Sequence, residues 1–344
     1  MIDPAEPSQH HASDAPEPVT IRDIRSARRR LENHALVTPL VESDALNRLA
    51  GRRVLVKVEA LQRTGSFKFR GAWSAISALP EAVRARGILA YSSGNHAQGV
   101  ALAAREMGVP ATIVMPRDAP ALKIANTEGY GAEVVLYDRA GGESREAIGT
   151  ALAEERGLTL VKPYDDPQVI AGQGTCGLEL AGQARAMGVS RGNVLVCCGG
   201  GGLSSGIAVA LEAEAPGLAV RTVEPVGFDD VARSLEAGER LAHDSPTTAS
   251  ICDAIVTPAP GELTFPLLRR LAGPGLAVSD DEALAAMGQA FRYLKLVAEP
   301  GGAVALAAAL YRGEALDGEA VIAVLSGGNV EAAVFARALE TLAA

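Results

Sequence analysis

The side chain best suited to chemistry is the amine of Lys68. The chain has only five lysines, and Lys68 ends the segment Thr64-Gly65-Ser66-Phe67-Lys68. An amine between a predicted strand and a predicted helix is placed to form a Schiff base with a carbonyl compound. A single lysine is more often only a solvated charge, so this interpretation depends on the groups that accompany it.

A second segment predicts a site for a carboxylate. Ser92-Ser93-Gly94-Asn95-His96 follows a short apolar run and opens a predicted helix. Backbone N–H groups at a helix N-terminus, together with hydroxyl and amide side chains, bind anions well. The alternative is ordinary helix capping by Ser93 or Asn95.

A third segment predicts a site for a phosphate. The run Gly199-Gly200-Gly201-Gly202-Leu203 follows an apolar strand and precedes a helix. Glycines expose the backbone N–H groups, and the helix dipole adds positive potential. The segment is not a Walker A loop, because Ile207 stands where a lysine would be needed, and it does not fit G-x-G-x-x-G. The alternative is a flexible turn.

A fourth segment, Ser326-Gly327-Gly328-Asn329, directly follows an apolar run. The Ser326 hydroxyl there could hydrogen-bond a ring nitrogen, although a plain glycine turn is the alternative. An amine, a phosphate cradle, a carboxylate site and a hydroxyl are together the groups needed to hold pyridoxal 5′-phosphate and an amino acid. In such enzymes the protein supplies orientation and electronic tuning.

The elements that must position these segments alternate between strand and helix. Predicted strands cover 53–58, 87–91, 111–115, 133–136, 193–198, 219–223 and 320–325, and predicted helices include 20–35, 69–79, 96–107 and 121–130. Apolar strands that alternate with helices indicate parallel sheets covered on both faces. Ligands bind such sheets at the carboxyl ends of the strands, where all four segments lie.

The predicted organisation is two α/β domains after a tail. Residues 1–19 contain four acidic residues and no lysine or arginine, which predicts a disordered segment and excludes a secretory signal. A large domain of 20–87 plus 163–344 would hold the phosphate loop. A small domain of 88–162 would present the Ser92–His96 segment and close over the substrate.

Composition excludes several classes of function. The formal net charge is −9, which argues against a nucleic-acid partner. No apolar run is long enough for a membrane span. The four cysteines lack metal-ligand spacing, so we predict reduced thiols in a cytoplasmic protein.

These motifs in combination resemble those of the fold-type II pyridoxal-5′-phosphate enzymes, the serine/threonine dehydratases (ammonia-lyases) and serine racemases. The pattern K-x-E-x-x-Q-x-T-G-S-F-K-x-R-G-A runs from Lys57 to Ala72. S-S-G-N-H-A-Q-G, V-I-A-G-Q-G-T, the four-glycine loop and L-S-G-G-N follow in the family's order. The resemblance implies two three-layer αβα domains with mainly parallel sheets, as in tryptophan synthase β, and a homodimer or homotetramer.

The resemblance also implies roles for the residues. Lys68 would hold the cofactor covalently and act as the base at Cα, beside Phe67. Asn95 would contact the pyridine 3-hydroxyl, and the backbone of Gly199, Gly200, Gly201, Gly202 and Leu203 would bind the phosphate. Ser326 would face the ring nitrogen and leave it unprotonated, which suits β-elimination.

A divalent-cation site is implied as well. Glu224, the Phe228 carbonyl and Asp230 match the metal ligands of serine racemase-like members. All-oxygen ligation suits Mg²⁺ or Ca²⁺. The alternative is a solvated acidic loop.

Substrate choice depends on a few positions. Ser92, Ser93, Gly94, Asn95 and His96 would bind the amino acid. In racemases, a serine at position 93 protonates the face of Cα opposite the lysine, so Ser93 is also a catalytic candidate.

Two further positions face the substrate in the family. Arg145 matches an arginine that racemases and hydroxyaspartate dehydratases aim at a second carboxylate, although it could be a surface charge. Tyr164 stands where racemases have asparagine and threonine dehydratases often have phenylalanine.

The predicted function is elimination of water and ammonia from L-threonine or L-serine, which yields a 2-oxo acid. Serine racemisation and threo-3-hydroxyaspartate deamination on the same scaffold are the alternatives. A non-catalytic small-molecule-binding relative is a third, and the presence of Lys68, Asn95 and Ser326 argues against it.

Overall fold

A computed structural model describes residues 19–92, 94–119, 121–138, 140–243 and 249–343. Ser93 and nearly all of the predicted N-terminal tail lie outside these residues. Val19, which we assigned to the tail, is fully buried and packs beside Ile24 and Ile170. In the described part of the chain, no helix is long and apolar enough to cross a membrane.

The larger sheet has six strands in the order β1-β2-β10-β7-β8-β9. Their bounds are β1 Leu40–Glu42, β2 Val54–Val58, β7 Gly192–Cys197, β8 Leu218–Pro225, β9 Leu276–Val278 and β10 Ala320–Leu325. Every pairing is parallel except that of β1 with β2. The central strands are buried along their whole length, as expected for a parallel sheet with helices on both faces.

The smaller sheet has four parallel strands in the order β5-β4-β3-β6. Their bounds are β3 Ile88–Tyr91, β4 Ala111–Pro116, β5 Glu133–Tyr137 and β6 Thr159–Leu160. All four strands come from the predicted small domain, although the exact domain boundaries stay a prediction. The predicted α/β class with mainly parallel sheets is confirmed by this topology.

Helices cover the faces of both sheets. Those of the first half are α1 Ile21–Leu31, α2 Asp44–Ala50, α3 Lys68–Ala78, α4 Glu81–Arg84, α5 Asn95–Glu106, α6 Ala121–Gly129 and α7 Arg145–Arg156. Those of the second half are α8 Pro167–Ala186, α9 Gly202–Glu214, α10 Asp230–Ala237, α11 Thr264–Leu271, α12 Asp280–Gln289, α13 Pro300–Tyr311 and α14 Ala332–Glu340.

The first helix shows where local signals succeed and fail. Thr20 and Asp23 form the predicted N-terminal capping box of α1. The helix ends at Leu31 rather than at the predicted Ala35, because Glu32 leaves the helical conformation with ψ 131° and Asn33 then adopts a left-handed one with φ 64°.

Three helices carry the site and pack backbone to backbone. A Cβ on Gly172 of α8 would lie 2.5 Å from the Arg70 carbonyl oxygen of α3, and one on Gly206 of α9 would lie 2.5 Å from the Ile170 carbonyl oxygen of α8. Such contacts leave no room for a side chain. The glycines therefore set the spacing of α3, α8 and α9, whose N-terminal ends include two of the predicted binding segments.

A buried charge cluster anchors α3. Arg70 donates to both carboxylate oxygens of Glu59 at 2.8 Å and to Glu179 at 2.7 Å and 2.9 Å. Lys57, also fully buried, donates to Glu179 at 2.6 Å. Burial raises the pKa of Glu59, but the Arg70 guanidinium outweighs it and holds that pKa below its usual value. The cluster thus fixes the helix that begins at Lys68.

Candidate active site

The four predicted segments meet around one cavity of about 190 Å³ at the carboxyl ends of β3, β7 and β10. Its walls include the side chains or backbone of Phe67, Lys68, Ser92, Gly94, Asn95, His96, Arg145, Tyr164, Gly199, Gly200, Gly201, Gly202, Leu203 and Ser326. Every predicted cofactor-contacting residue therefore lies at the same cavity, although the predicted roles themselves remain proposals.

Lys68 begins α3 and points into this cavity. Its Nζ donates to the Pro163 carbonyl oxygen at 2.9 Å and lies 5.1 Å from the centre of the Phe67 ring. Burial lowers the pKa of Lys68 to about 8, against the opposing effects of Cys197 and Glu299. An amine with that pKa is partly unprotonated at neutral pH and so can act as a nucleophile or a base.

The turn before Lys68 is held by the segment after β10. The Phe67 N–H donates to the Ser326 carbonyl at 3.1 Å, and the Gly328 N–H donates to the Gly65 carbonyl at 2.9 Å. Gly65 has φ 74°, and a Cβ there would lie 2.6 Å from the Asn329 Oδ1. Glycine is therefore required at this position, and the turn delivers Lys68 beside Ser326.

Asn95 takes part in a buried hydrogen-bond chain that sequence reasoning missed. Its Nδ2 donates to the Glu299 Oε1 at 2.5 Å, and its Oδ1 accepts from the Asn329 Nδ2 at 2.7 Å. Glu299 precedes α13, more than 200 residues along the chain. No local pattern marks this carboxylate as buried, and only the Asn95 side of the pair had a recognisable signal.

The glycine loop forms the floor of the cavity next to Tyr164. Gly201 has φ 91° and precedes α9, and a Cβ on Gly200 would lie 2.2 Å from two Tyr164 ring carbons. The bare backbone amides thus open the N-terminus of a 13-residue helix. This geometry fits a phosphate group, because both the N–H groups and the helix dipole favour an anion there.

Ser326 lies opposite, and its Oγ is 3.0 Å from the Cys197 Sγ in a hydrogen bond that the thiol donates. Burial raises the pKa of Cys197 to about 11, so the thiol stays neutral. The Ser326 hydroxyl therefore faces the cavity with a neutral partner. This arrangement suits a neutral ring nitrogen.

In the loop after β3, the side chains of Ser92 and His96 form hydrogen bonds within the protein. The Ser92 Oγ accepts from the Gly94 N–H at 3.2 Å, which shapes the turn. The His96 Nε2 is hydrogen-bonded to the Val161 carbonyl at 2.9 Å, and burial, with the nearby Lys68, lowers the pKa of His96 to about 3. His96 is therefore a neutral side chain engaged with the backbone. Ser93, the other predicted catalytic residue, lies outside the described residues.

Arg145 and two tyrosines form the outer wall. The Arg145 guanidinium carbon lies 5.4 Å from the Tyr91 ring centre, and its Nε donates to Glu146 at 2.7 Å. Burial raises the pKa of Tyr164, so this phenol is neutral at physiological pH. A cation is thus present where a second substrate carboxylate could bind.

The predicted metal ligands lie outside the residues that line the cavity. Glu224 accepts from the Val231 and Ala232 N–H groups at 2.9 Å and 2.8 Å, and the buried Asp230 Oδ2 has no hydrogen-bond partner among the described residues. Burial raises the pKa of Asp230 to about 6 and that of Glu224 well above its usual value. No cluster of three histidine, cysteine or carboxylate side chains suited to a metal occurs in the described ranges.

The chemistry of the cavity residues matches the functional groups of pyridoxal phosphate. The amine of Lys68 can bond to an aldehyde, a helix N-terminus bare of side chains can bind a phosphate, and Ser326 offers a neutral hydroxyl to the ring. Each group lies in the wall of the same cavity. The residues present therefore fit this cofactor.

Comparison with known proteins agrees with this chemistry. The family described as "Pyridoxal-phosphate dependent enzyme" matches residues 31–327. A protein from Pseudomonas sp. named "L-threo-3-hydroxyaspartate ammonia-lyase" is 44% identical over 321 residues, which cover 92% of this chain and 98% of that protein. "Serine racemase" of Schizosaccharomyces pombe is 40% identical over 91% of this chain and 94% of its own length.

A solved structure shows the same fold. The "Threonine deaminase" of T.th. superposes with a TM-score of 0.85 and 47% sequence identity, and the match covers 91% of this chain and 99% of that chain. Relatives with similar sequence identity to this chain therefore carry three different activity names. Their names alone do not choose the substrate of this chain.

Proposed function

We propose a specific reaction for this chain, which belongs to the family of pyridoxal-phosphate-dependent enzymes. Its relatives are ammonia-lyases and racemases, so the chain is an enzyme of the carbon–nitrogen lyase type. Within that type, the proposed reaction converts L-threo-3-hydroxyaspartate to oxaloacetate and ammonia. L-Threonine and L-serine, which the sequence favoured, become the second candidate.

The observation that carries this choice is Arg145 in the cavity wall. Among the described residues, its two Nη groups have no hydrogen-bond partner in the protein, while its Nε is engaged by Glu146. A guanidinium prefers a bidentate carboxylate partner. L-Serine and L-threonine have one carboxylate, which the loop after β3 would take. A substrate with a second carboxylate would also engage Arg145.

The chain's own residues account for the steps of the reaction. Pyridoxal phosphate, when bound, supplies an electron sink for the electron pair released at Cα. Lys68 would hold the cofactor and then remove the Cα proton, a task suited to an amine with a pKa of about 8. Ser326 would keep the ring nitrogen neutral, which favours prompt loss of the β-hydroxyl.

The remaining residues would bind and orient. The amides of Gly199–Leu203 would bind the phosphate, and the N-terminus of α5 would bind the α-carboxylate. The neutral Tyr164 ring covers the glycine loop and would exclude water from that side. Exclusion of water from a site of this kind would limit side reactions with solvent.

We also propose a divalent cation at Glu224, the Phe228 carbonyl and Asp230. Support comes from the buried Asp230 Oδ2, which has no hydrogen-bond partner among the described residues, and from the Glu224 carboxylate, whose pKa is raised by burial and by the nearby Asp230. A cation would offset the repulsion between the two carboxylates. Oxygen ligands of this kind suit Mg²⁺ or Ca²⁺. Because this site lies outside the cavity wall, the cation would stabilise the fold around α10 instead of contacting the substrate.

The test compares 2-oxo acid release from L-threo-3-hydroxyaspartate, L-threonine, L-serine and D-serine by wild type and by Arg145→Gln. Loss of a charged hydrogen bond costs about 1.5–3 kcal/mol, which is roughly a 10- to 150-fold fall in kcat/KM. We expect that fall for hydroxyaspartate alone. Arg156→Gln is the matched control, since Arg156 lies on the same helix and pairs with the exposed Glu133.

Wild-type preference for L-threonine or L-serine, with no selective effect of Arg145→Gln, would establish the second candidate instead. A chiral assay of serine with wild type and Ser93→Ala would reveal racemisation. Conversion of L- to D-serine that disappears in Ser93→Ala would assign the racemase role to that hydroxyl.

A further inference from the structure

Glu299 is a cavity residue to which the proposed reaction assigns no task. It is only 3% exposed and immediately precedes α13. The described cavity wall contains one other acid, Asp253, whose side chain is 60% exposed. Glu299 is therefore the buried acid of a wall that also contains Lys68, Lys123 and Arg145.

The protein holds this carboxylate in a fixed place. The Glu299 N–H donates to the Gly327 carbonyl at 3.0 Å, and a Cβ on Gly327 would overlap the Glu299 Oε1. The same Oε1 accepts from the Asn95 Nδ2 at 2.5 Å, and Asn329 in turn holds the Asn95 amide. The contacts come from two separate segments, the one that begins α5 and the one that follows β10, and the Asn95 hydrogen bond holds the carboxylate in its buried position.

The charges that face Glu299 come from several elements. Lys68 on α3 and Lys123 on α6 are the cations, and Asp253, which pairs with Lys123 at 3.1 Å, is the other acid. The thiols of Cys197 and Cys252 are neutral because burial raises their pKa values to about 11 and about 12. His96 is neutral as well, since burial lowers its pKa to about 3.

Glu299 and Lys68 act on each other electrostatically. Burial raises the pKa of Glu299 to about 7, against the opposing effects of Asn95, Lys123 and Lys68. Burial lowers the pKa of Lys68 to about 8, and Glu299 opposes that shift. Lys123 has an ion-pair partner in Asp253 at 3.1 Å, whereas among the described residues the Lys68 Nζ donates only to the Pro163 carbonyl and shares its cavity with the buried Glu299.

We propose that Glu299 is the counter-charge of the Lys68 nitrogen. Its carboxylate, held through Asn95, keeps that nitrogen protonated in the resting, cofactor-loaded site. Glu299 is thus a positioning residue that acts on charge and not by contact with the substrate. The inference concerns the bound cofactor and is independent of which amino acid the enzyme prefers.

The proposal predicts a shift of one observable titration. The cofactor linked to Lys68 would absorb in the visible when the linking nitrogen is protonated and in the near ultraviolet when that nitrogen is neutral. A negative charge close by stabilises the protonated form, and its removal typically lowers such a pKa by on the order of one unit. Glu299→Gln keeps an oxygen for Asn95 and removes only the charge.

The experiment is a pH titration of the visible band of the purified holoenzyme. The midpoint of Glu299→Gln is expected to fall by about one pH unit, a tenfold change in the protonation equilibrium, while Glu299→Asp, which keeps the charge, stays nearer to wild type. Asp253→Asn is the matched control for an exposed acid at the same cavity. Its midpoint is expected to move much less than that of Glu299→Gln.

A Glu299→Gln midpoint equal to that of wild type would overturn the proposal, as would an equal shift in Asp253→Asn. If Glu299→Gln loses the cofactor, the readout becomes the pH dependence of reductive methylation of the Lys68 amine in cofactor-free protein, followed by peptide mass. The Lys68 amine should then titrate at lower pH in Glu299→Gln than in wild type. Equal profiles would refute the counter-charge. Neither measurement requires turnover of hydroxyaspartate, so failure of that substrate leaves the test unaffected.

Discussion

Gly200→Ala is the sharpest test of the phosphate cradle. An ideal Cβ at Gly200 would lie 2.2 Å from the Cδ2 and Cε2 of Tyr164. Ordinary carbon–carbon contact begins at about 3.5 Å, so one of the two groups must move by more than about 1 Å. Either the glycine loop is pushed off its position or the Tyr164 ring leaves the cavity wall.

The size of the effect follows from the cost of overpacking. Forcing one extra methyl group into a packed site costs typically about 1–3 kcal/mol. If the loop absorbs this strain, the dissociation constant of pyridoxal phosphate should rise roughly ten- to hundredfold, because about 1.4 kcal/mol corresponds to a factor of ten. The loss should appear in cofactor affinity before it appears in the rate of the loaded enzyme.

The assay is a titration of cofactor-free protein with pyridoxal phosphate, followed by absorbance. Four proteins complete a double-mutant cycle: wild type, Gly200→Ala, Tyr164→Ala and the double variant. Removal of the ring removes the atoms that the new Cβ would strike, so the double variant should bind more tightly than the sum of single effects predicts. Gly182→Ala in α8 is the control, because, apart from the neighbouring backbone of α8 itself, no atom of the described residues lies within 4 Å of its Cβ position.

Two outcomes would refute this reasoning. Wild-type affinity in Gly200→Ala would mean that the cradle tolerates a side chain. Strictly additive effects in the cycle would mean that the strain does not arise from Tyr164. Gly182→Ala should keep wild-type affinity and gain up to about 1 kcal/mol of stability, since alanine is favoured over glycine in a helix.

Three further predictions follow from buried charges. Lys68→Ala should abolish both the visible absorbance of the cofactor-loaded protein and the release of 2-oxo acid. Residual turnover would show that Lys68 is not the residue that holds the cofactor and removes the Cα proton. Arg70→Met should lower the free energy of unfolding by about 3–5 kcal/mol in urea, because it leaves the buried Glu59 carboxylate without its guanidinium partner. Since Arg70 holds the pKa of Glu59 below its usual value, this part of the stability is present above about pH 4 and is lost as the pH falls. The loss should be absent in Arg70→Met. After treatment with a chelator, addition of Mg²⁺ should raise the melting temperature of the wild-type protein, and Asp230→Asn should remove that response. Equal responses in the wild type and in Asp230→Asn would exclude the proposed cation site.

Much of the fold could be predicted from local patterns. The strand at 320–325 agrees with β10 at both ends, and the predicted helices at 69–79 and 96–107 agree with α3 and α5 to within a residue. Continuous apolar runs and helix caps are short-range signals, so they survive without tertiary information. The short strands β1, β6 and β9 were missed because two or three residues carry no periodicity.

The candidate site also contains residues that the sequence predicts from local patterns and residues that it does not. Lys68, the glycine loop and Ser326 stand out in the sequence because their types and their places after apolar strands are local properties. Their meeting at one cavity also follows from the rule for parallel sheets. The pyridoxal-phosphate assignment therefore came from the sequence, and the family match confirms it.

The sequence by itself thus determined the family, the cofactor and the alternation of the longer strands and helices. Only the tertiary structure decided that Glu299 is buried against Asn95, that Tyr164 covers Gly200 and that the Arg145 guanidinium lines the cavity. Each of these contacts joins residues far apart along the chain. Burial and electrostatic coupling depend on what surrounds a side chain in space, and a linear pattern of residue types does not contain that information.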